Sequence, residues 1–196
     1  MTSPSTPARC AWANPSNPRY IEYHDHEWGV PCHDERQLFE MLNLEGAQAG
    51  LSWETVLNKR DHYRKVFDQF DPHKIVKYDA RKIESLMQDA GIIRNRLKIN
   101  AVISNAHAYL KLCEEFGGLN AYLWRHVDGD PPINRAGRVV TNALSDGISK
   151  DLKKRGFKFV GSTIIYAYMQ AIGMVNDHSA DCAWHPDHAK KKNRAS

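Results

Sequence analysis

Apolar positions along the chain recur at helical spacing and almost nowhere alternate in the manner of a half-buried strand. From Asp34 onward, Leu38, Met41 and Leu42 form one such face, with Asp34 as N-cap and Gln37 three residues later completing a capping box. Leu51, Val56 and Leu57 predict one helix over residues 49–66, and Asp71-Pro72 is a helix start because proline fits the first turn. Residues 80–88 read as a short amphipathic helix ending before Gly91. Residues 94–115 read as a long one, with Ile99, Val102, Ile103 and Ala106 on one side. Gly117-Gly118 interrupt the pattern. Further helices are predicted over 121–127, 145–154 and 162–172, with DGDPPINRAGRVV (128–140) as a loop crossing between two lobes. The stretch 10–32 is rich in Trp, Tyr, His and Pro without helical period, and reads as ordered coil. The expected fold is all-α: a mobile arm over 1–9, one domain over 10–186 and a disordered basic tail over 187–196.

Composition narrows the function classes only slightly. Of 196 residues, 42% are hydrophobic and 26% charged, which suits a folded domain and excludes wholesale disorder. No run is long and apolar enough to cross a bilayer, and MTSPSTPAR lacks the apolar stretch of a secretory signal, so a cytoplasmic address is expected. A net charge of +4 favours a polyanionic partner weakly. Four scattered cysteines in a chain of this size argue for reduced thiols rather than a disulfide framework.

Two of those thiols have histidines nearby. His178 and Cys182 are four apart and would share one face of a helical turn, while Cys10 and His24 flank the aromatic N-terminal stretch. Two thiolates and two imidazoles make a ligand set that structural zinc favours. Spacing alone cannot bring residues so far apart in sequence together, and Cys32, His33 and His185 are rival ligands. The segment LKKRGFKFVGST (152–163) puts a basic helix end, Gly156, a short hairpin and Gly161 before an apolar helix starting near Ser162. The first N–H groups of that helix have no intrahelical partner and, with the helix dipole, suit a phosphate. Backbone contact of this kind anchors DNA without reading its sequence.

This region resembles the helix-hairpin-helix element of base-excision DNA glycosylases: FVG (159–161), an apolar helix, then VNDH (175–178). AGIIRNRLKINAVIS (90–104) resembles a second glycine turn of the same superfamily. The nearer resemblance, from Cys10 to Cys182, is to the 3-methyladenine DNA glycosylase I family. It rests on YHDHEWGVPC (23–32), LEGAQAGLSWE (44–54), QDAGIIRNR (88–96), KKRGFKFVGST (153–163) and VNDH.

The resemblance implies two helical lobes with an active-site cleft between them, and one structural Zn2+ on Cys10, His24, His178 and Cys182 joining the two ends of the chain. It implies hydrolytic release of 3-methyladenine from alkylated double-stranded DNA, with the free base as product. Glu45 is the implied essential residue and accepts hydrogen bonds from the base. Trp53 stacks on it, Tyr23 closes the polar side, and Trp12 and Tyr20 are further pocket residues. Gly50 and Leu51 are expected to wedge the DNA, and Gly156, Lys158, Gly161 and Ser162 to hold its backbone. A monomer without membrane contact is expected. The chain departs from the wider superfamily in having Asn176 where many members have an aspartate, and Thr163 where bifunctional members have a lysine; without that lysine, strand cleavage through a Schiff base is not expected. Three alternatives remain at this stage: a non-catalytic zinc-stabilised DNA-binding module, a glycosylase of broader alkylpurine range, and a zinc hydrolase of small molecules.

Overall fold

The computed structural model describes residues 7–135 and 137–188. Among them the secondary structure is helical throughout, with one isolated parallel bridge between Ile133 and Asn176. Ten α-helices succeed one another: α1 (Pro18–His26), α2 (Glu35–Gln48), α3 (Trp53–Leu57), α4 (Arg60–Val66), α5 (Pro72–Ile75), α6 (Ala80–Gln88), α7 (Arg96–Phe116), α8 (Leu119–Trp124), α9 (Ala143–Lys154) and α10 (Ser162–Ala171). A 3-10 turn, Asp68–Phe70, joins α4 to α5. The all-α expectation holds.

Helix α2 is the central member, with Leu38, Phe39, Leu42 and Leu44 fully buried. It packs against α3, α7, α8 and α10. Asp34 caps it by accepting from Gln37 N at 2.8 Å. The expected box is only half formed, because the Gln37 side chain instead accepts from the Cys32 thiol. The Glu40 carboxylate, on the same helix, is buried and salvaged by Arg60 (2.6 Å) and Arg64 (2.8 Å) of α4, while Arg60 also reaches Glu27 after α1 (2.6 Å). Burying these charges costs solvation that only such paired geometry offsets.

Two helical expectations need correcting. The stretch 10–32 is not all coil: Asn17 caps the start of α1 by accepting from Arg19 N and Tyr20 N, Pro18 occupies its first position, and Tyr20, Tyr23 and His24 are its buried face. Aromatic and histidine side chains hid that face from a hydrophobic-periodicity reading. The single helix expected over 49–66 is instead broken twice. Gly50 adopts φ +77°, Ser52 re-caps the chain by accepting from Thr55 N, and a second break at Asn58–Lys59 separates α3 from α4. Of the arm expected over 1–9, residues 1–6 lie outside the described residues, as do 189–196 of the tail. Arg9 pairs with Asp25 at 2.6 Å.

Candidate functional site: an aromatic cavity beside a metal-ligand cluster

Helix α2 carries Glu45 in its last turn, and the capped start of α3 carries Trp53. Both line a cavity of about 1100 Å³, which Tyr20 and Tyr23 of α1 and Trp12 of the preceding turn also line. The rings form one connected set: Tyr23 and Trp53 have centroids 5.3 Å apart, Trp12 and Tyr20 5.3 Å, and Tyr20 and Tyr23 stack at 6.5 Å. All five residues expected to form a base pocket are therefore together. Asn14 and Asn17, at the approach to α1, both donate to Glu54, which locks α1 against α3 and so sets the spacing of Tyr23 and Trp53.

Glu45 is 4% exposed, and no hydrogen bond or ion pair among the described residues engages its carboxyl. Desolvation alone pushes its pKa up to about 8. The Tyr23 hydroxyl is held well above its ordinary range by burial and then by the charge of Glu45, and Tyr20 is pushed up to about 12 by burial, then Glu54 and Glu45. Neither phenol ionises near neutrality, so both keep a proton to donate. Besides the Glu45 carboxyl, two side-chain polar atoms fully sealed from solvent lack partners among the described residues, Trp53 Nε1 and Asp177 Oδ1, and both residues line this same cavity. The other Asp177 oxygen accepts from Tyr166 (3.0 Å) and Gln170 (2.6 Å). An uncompensated buried carboxyl inside an aromatic slot is poised for a ligand that brings hydrogen-bond donors or positive charge.

Cys10, His24, His178 and Cys182 lie at one edge of the cavity, all buried, with their ligand atoms within 4.8 Å of one another. Cys10 Sγ is 3.5 Å from His178 Nδ1, and Cys182 Sγ is 3.5 Å from both His178 Nδ1 and His24 Nε2. The remaining ring nitrogens face acceptors: His24 Nδ1 meets Asp25 at 2.7 Å, and His178 Nε2 meets the Trp28 carbonyl at 3.2 Å. Those contacts select the tautomers that turn a lone pair inward from each ring, as metal-binding imidazoles require. Ser179 donates to Cys10 Sγ through its backbone and its hydroxyl, as suits a thiolate. Gly29, at φ +75°, allows the Trp28 turn to close over His178, since a Cβ there would lie 3.3 Å from the imidazole. The rival ligands are elsewhere: His33 bonds Asn120, Cys32 bonds Gln37, and buried His185 accepts from Asp187 N. The cluster ties the N-terminal segment to the C-terminal one.

The expected DNA-facing residues sit outside the cavity lining. Gly50 and Leu51 occupy the turn after α2; Leu51 is 41% exposed, an apolar side chain presented to solvent. Lys98 of α7 reaches this turn and donates to the Ala47 and Ala49 carbonyls at 2.7 Å each, satisfying groups the helix end leaves free. Between α9 and α10, Gly156 turns the chain at φ +96° and Lys158 is exposed. The buried Asn105 holds the hairpin by accepting from Lys158 N (2.7 Å) and donating to Lys158 O (3.2 Å), and Ser149 donates to Val160 O. Gly161 precedes α10 with no side-chain cap. The Ser162 hydroxyl is taken up by Ser145 and Asp146, so the backbone is what this corner offers a ligand. Phe159 has φ +53°, and it packs where α2 has Gly46, whose added Cβ would lie 3.1 Å from it.

Sequence reading missed part of the cavity. Asn134, Arg138, Gln48 and Gln170 line it too. Asn134 and Arg138 stand in a loop with no periodicity to interpret. Trp28, from the same aromatic stretch as Trp12, Tyr20 and Tyr23, also lines it, with its ring 4.7 Å from His178.

Comparison with known proteins agrees with this geometry. Residues 12–185 match the family model described as methyladenine glycosylase. The chain is 50% identical over 182 residues to DNA-3-methyladenine glycosylase 1 of Escherichia coli, covering 91% of this chain and 97% of that protein. It is 46% identical to DNA-3-methyladenine glycosylase of Haemophilus influenzae, over 89% and 96%. A crystal structure of a 3-methyladenine DNA glycosylase I superposes with TM-score 0.87 at 51% identity, covering 91% of this chain and all of that one. The Staphylococcus aureus enzyme, solved to explain its 3-methyladenine recognition, superposes at 0.86 and 36% identity, covering 91% and 96%.

Proposed function

Because the chain belongs to the methyladenine glycosylase family, we propose that it hydrolyses the N-glycosidic bond of 3-methyladenine in double-stranded DNA, releasing the free base and leaving an abasic site. The observation that carries this reading is the buried carboxyl of Glu45, unpaired among the described residues and set beside Trp53, Tyr23 and Tyr20. Methylation at N3 makes adenine in DNA cationic, whereas adenine itself is neutral. A unit charge about 4 Å from the carboxylate contributes on the order of 4 kcal/mol at an effective dielectric of 20, before the cost of ionising Glu45 is set against it. A neutral base offers no such return for desolvating the acid.

In this reading the extruded nucleotide enters the cavity. Trp53 stacks on the ring, with Tyr20 and Trp12 completing the aromatic wall; Glu45 accepts from the amino edge and the Tyr23 hydroxyl donates. The cationic base is already a good leaving group, so positioning supplies much of the remaining acceleration. That fits a chain with Asn176 where other superfamily members have an aspartate. Thr163 offers no amine, so the reaction stops at the abasic site. Leu51 and Gly50 wedge the gap left in the stack, while the Gly156–Gly161 hairpin, with Lys158 and the first N–H groups of α10 from Ser162, holds the backbone.

The ion that fits the cluster is one Zn2+. Tetrahedral coordination with Zn–S near 2.3 Å and Zn–N near 2.0–2.1 Å places sulfur and nitrogen about 3.5 Å apart, the separation found for three of the pairs. When bound, the ion supplies a structural cross-link and no reacting water, because four protein groups fill its sphere.

Chromatography of bases released from methylated duplex DNA tests the function. Release of 3-methyladenine without 7-methylguanine is expected. Release of both would establish a broader alkylpurine enzyme, and DNA binding with no base released would reduce the chain to a binding module.

A further inference from the structure

The segment between α8 and α9 closes a side of the cavity that the helices leave open. Its backbone is laid along the chain leading to His178: Asn134 N donates to Asn176 O, and Asn176 N to Pro132 O, each at 3.0 Å. That pairing fixes where the next residues stand, and Arg138 and Val139 line the cavity together with Glu45 and Trp53. The two arginines of this segment that line the cavity, Arg135 and Arg138, are used differently. Arg135 makes a two-pronged contact with Asp187, at 2.8 and 3.0 Å. Arg138 is exposed, and no carboxylate pairs with it among the described residues.

An unpaired cation beside a cavity that admits a cationic base is electrostatically misplaced unless an anion stands between them. Glu45 is buried and Arg138 exposed, so the arginine belongs to the rim. When a nucleotide rotates out of a duplex its base enters the pocket while its flanking phosphates stay outside. We propose that Arg138 is a phosphate ligand of the lesion strand, gripping a phosphodiester next to the extruded nucleotide, separately from the α9–α10 hairpin. The guanidinium suits the task because its planar fork can bond two phosphate oxygens at once. The contact rests on the glycosylase reading. It adds a second anchor on the cavity side, so that the phosphate charge lies between the arginine and the base.

The test uses Arg138→Ala, Arg138→Gln and Arg138→Lys in the full chain. Affinity for a duplex bearing an abasic-site analogue is measured across salt concentration, and binding of free 3-methyladenine is measured separately. Arg138→Ala and Arg138→Gln are expected to weaken duplex binding about 5- to 20-fold near 0.1 M salt and to make the log–log salt dependence shallower by about one. Arg138→Lys should keep most of that slope, and all three should bind the free base like the parent. An unchanged slope, or an equal loss of free-base affinity, would overturn the phosphate role. If the parent protein binds abasic DNA with the arginine-dependent slope yet releases no methylated base, the contact stands and the proposed activity falls.

Discussion

At the scale of one residue, the proposed chemistry rests on Glu45. A carboxyl with a folded-state pKa near 8, against an ordinary value of 4.5, holds its proton more tightly in the native protein than in the unfolded chain. Its contribution therefore favours folding at low pH and is lost progressively as pH rises from about 4.5 to about 8. Glu45→Gln removes this burden. The variant is expected to be more stable than the parent above pH 5, by a margin that grows to a few kcal/mol near pH 8, on the order of 1.4 kcal/mol per unit; thermal melts across pH measure it. The same substitution should weaken binding of the methylated base by on the order of 10- to 100-fold, which calorimetry would show. For the parent, kcat/KM on methylated DNA should rise with pH toward about 8 as the free acid ionises. The glutamine variant should show no such limb. An equally steep limb in Glu45→Gln would place the titrating group elsewhere.

Elements act here through what holds their ends. The α9–α10 hairpin, the proposed DNA anchor, depends on the buried Asn105 side chain bonded to both backbone groups of Lys158. Asn105→Ala strands those groups and the Asn43 amide oxygen, so a loss of about 1–3 kcal/mol in unfolding free energy is expected, with weaker DNA binding and unaltered free-base affinity. The turn carrying Leu51 depends in the same way on Lys98, whose burial lowers its pKa. Lys98→Met should preserve the packing of the aliphatic stem yet release the Ala47 and Ala49 carbonyls. Base excision from duplex DNA should fall further than binding of the free base, as paired kinetic and binding assays would show. Equal losses would mean that the turn shapes the pocket rather than the DNA contact. Several of these elements were readable in advance: residues 80–88 match α6, Asp34 caps α2, and residues 94–115 match α7 within two residues at each end. α1 was not, because its buried face is made of Tyr20, Tyr23 and His24, side chains that do not announce themselves as apolar.

Across the whole molecule the Cys/His cluster decides where α1 stands. Cys10 and His24 meet His178 and Cys182 over more than 150 residues of chain, and the Trp28 ring lies against His178 while Trp12 lies 5.1 Å from His24. Removing the ion should thus loosen the same aromatic wall that is proposed to receive the base. Metal analysis of the purified protein is expected to give one zinc per chain. Cys182→Ser should lower the thermal midpoint and also weaken free-base binding, although Cys182 does not line the cavity. Full base affinity in a zinc-free variant would separate the two sites.

The all-helical class was legible in the chain by itself, while the Cys10, His24, His178 and Cys182 set and the shared pocket of Glu45 and Trp53 were legible only through the family resemblance that its motifs carry. Helical period and capping are local properties, and the motifs around Glu45 and the hairpin are long contiguous runs. Tertiary structure alone decided that Glu45 has no partner among the described residues, that Asn105 clamps the hairpin, and that Arg138 meets no carboxylate among those residues while Arg135 pairs with Asp187. Burial and ion pairing depend on which distant segments meet, and desolvation, the force that raises the Glu45 pKa, exists only once those segments have excluded water.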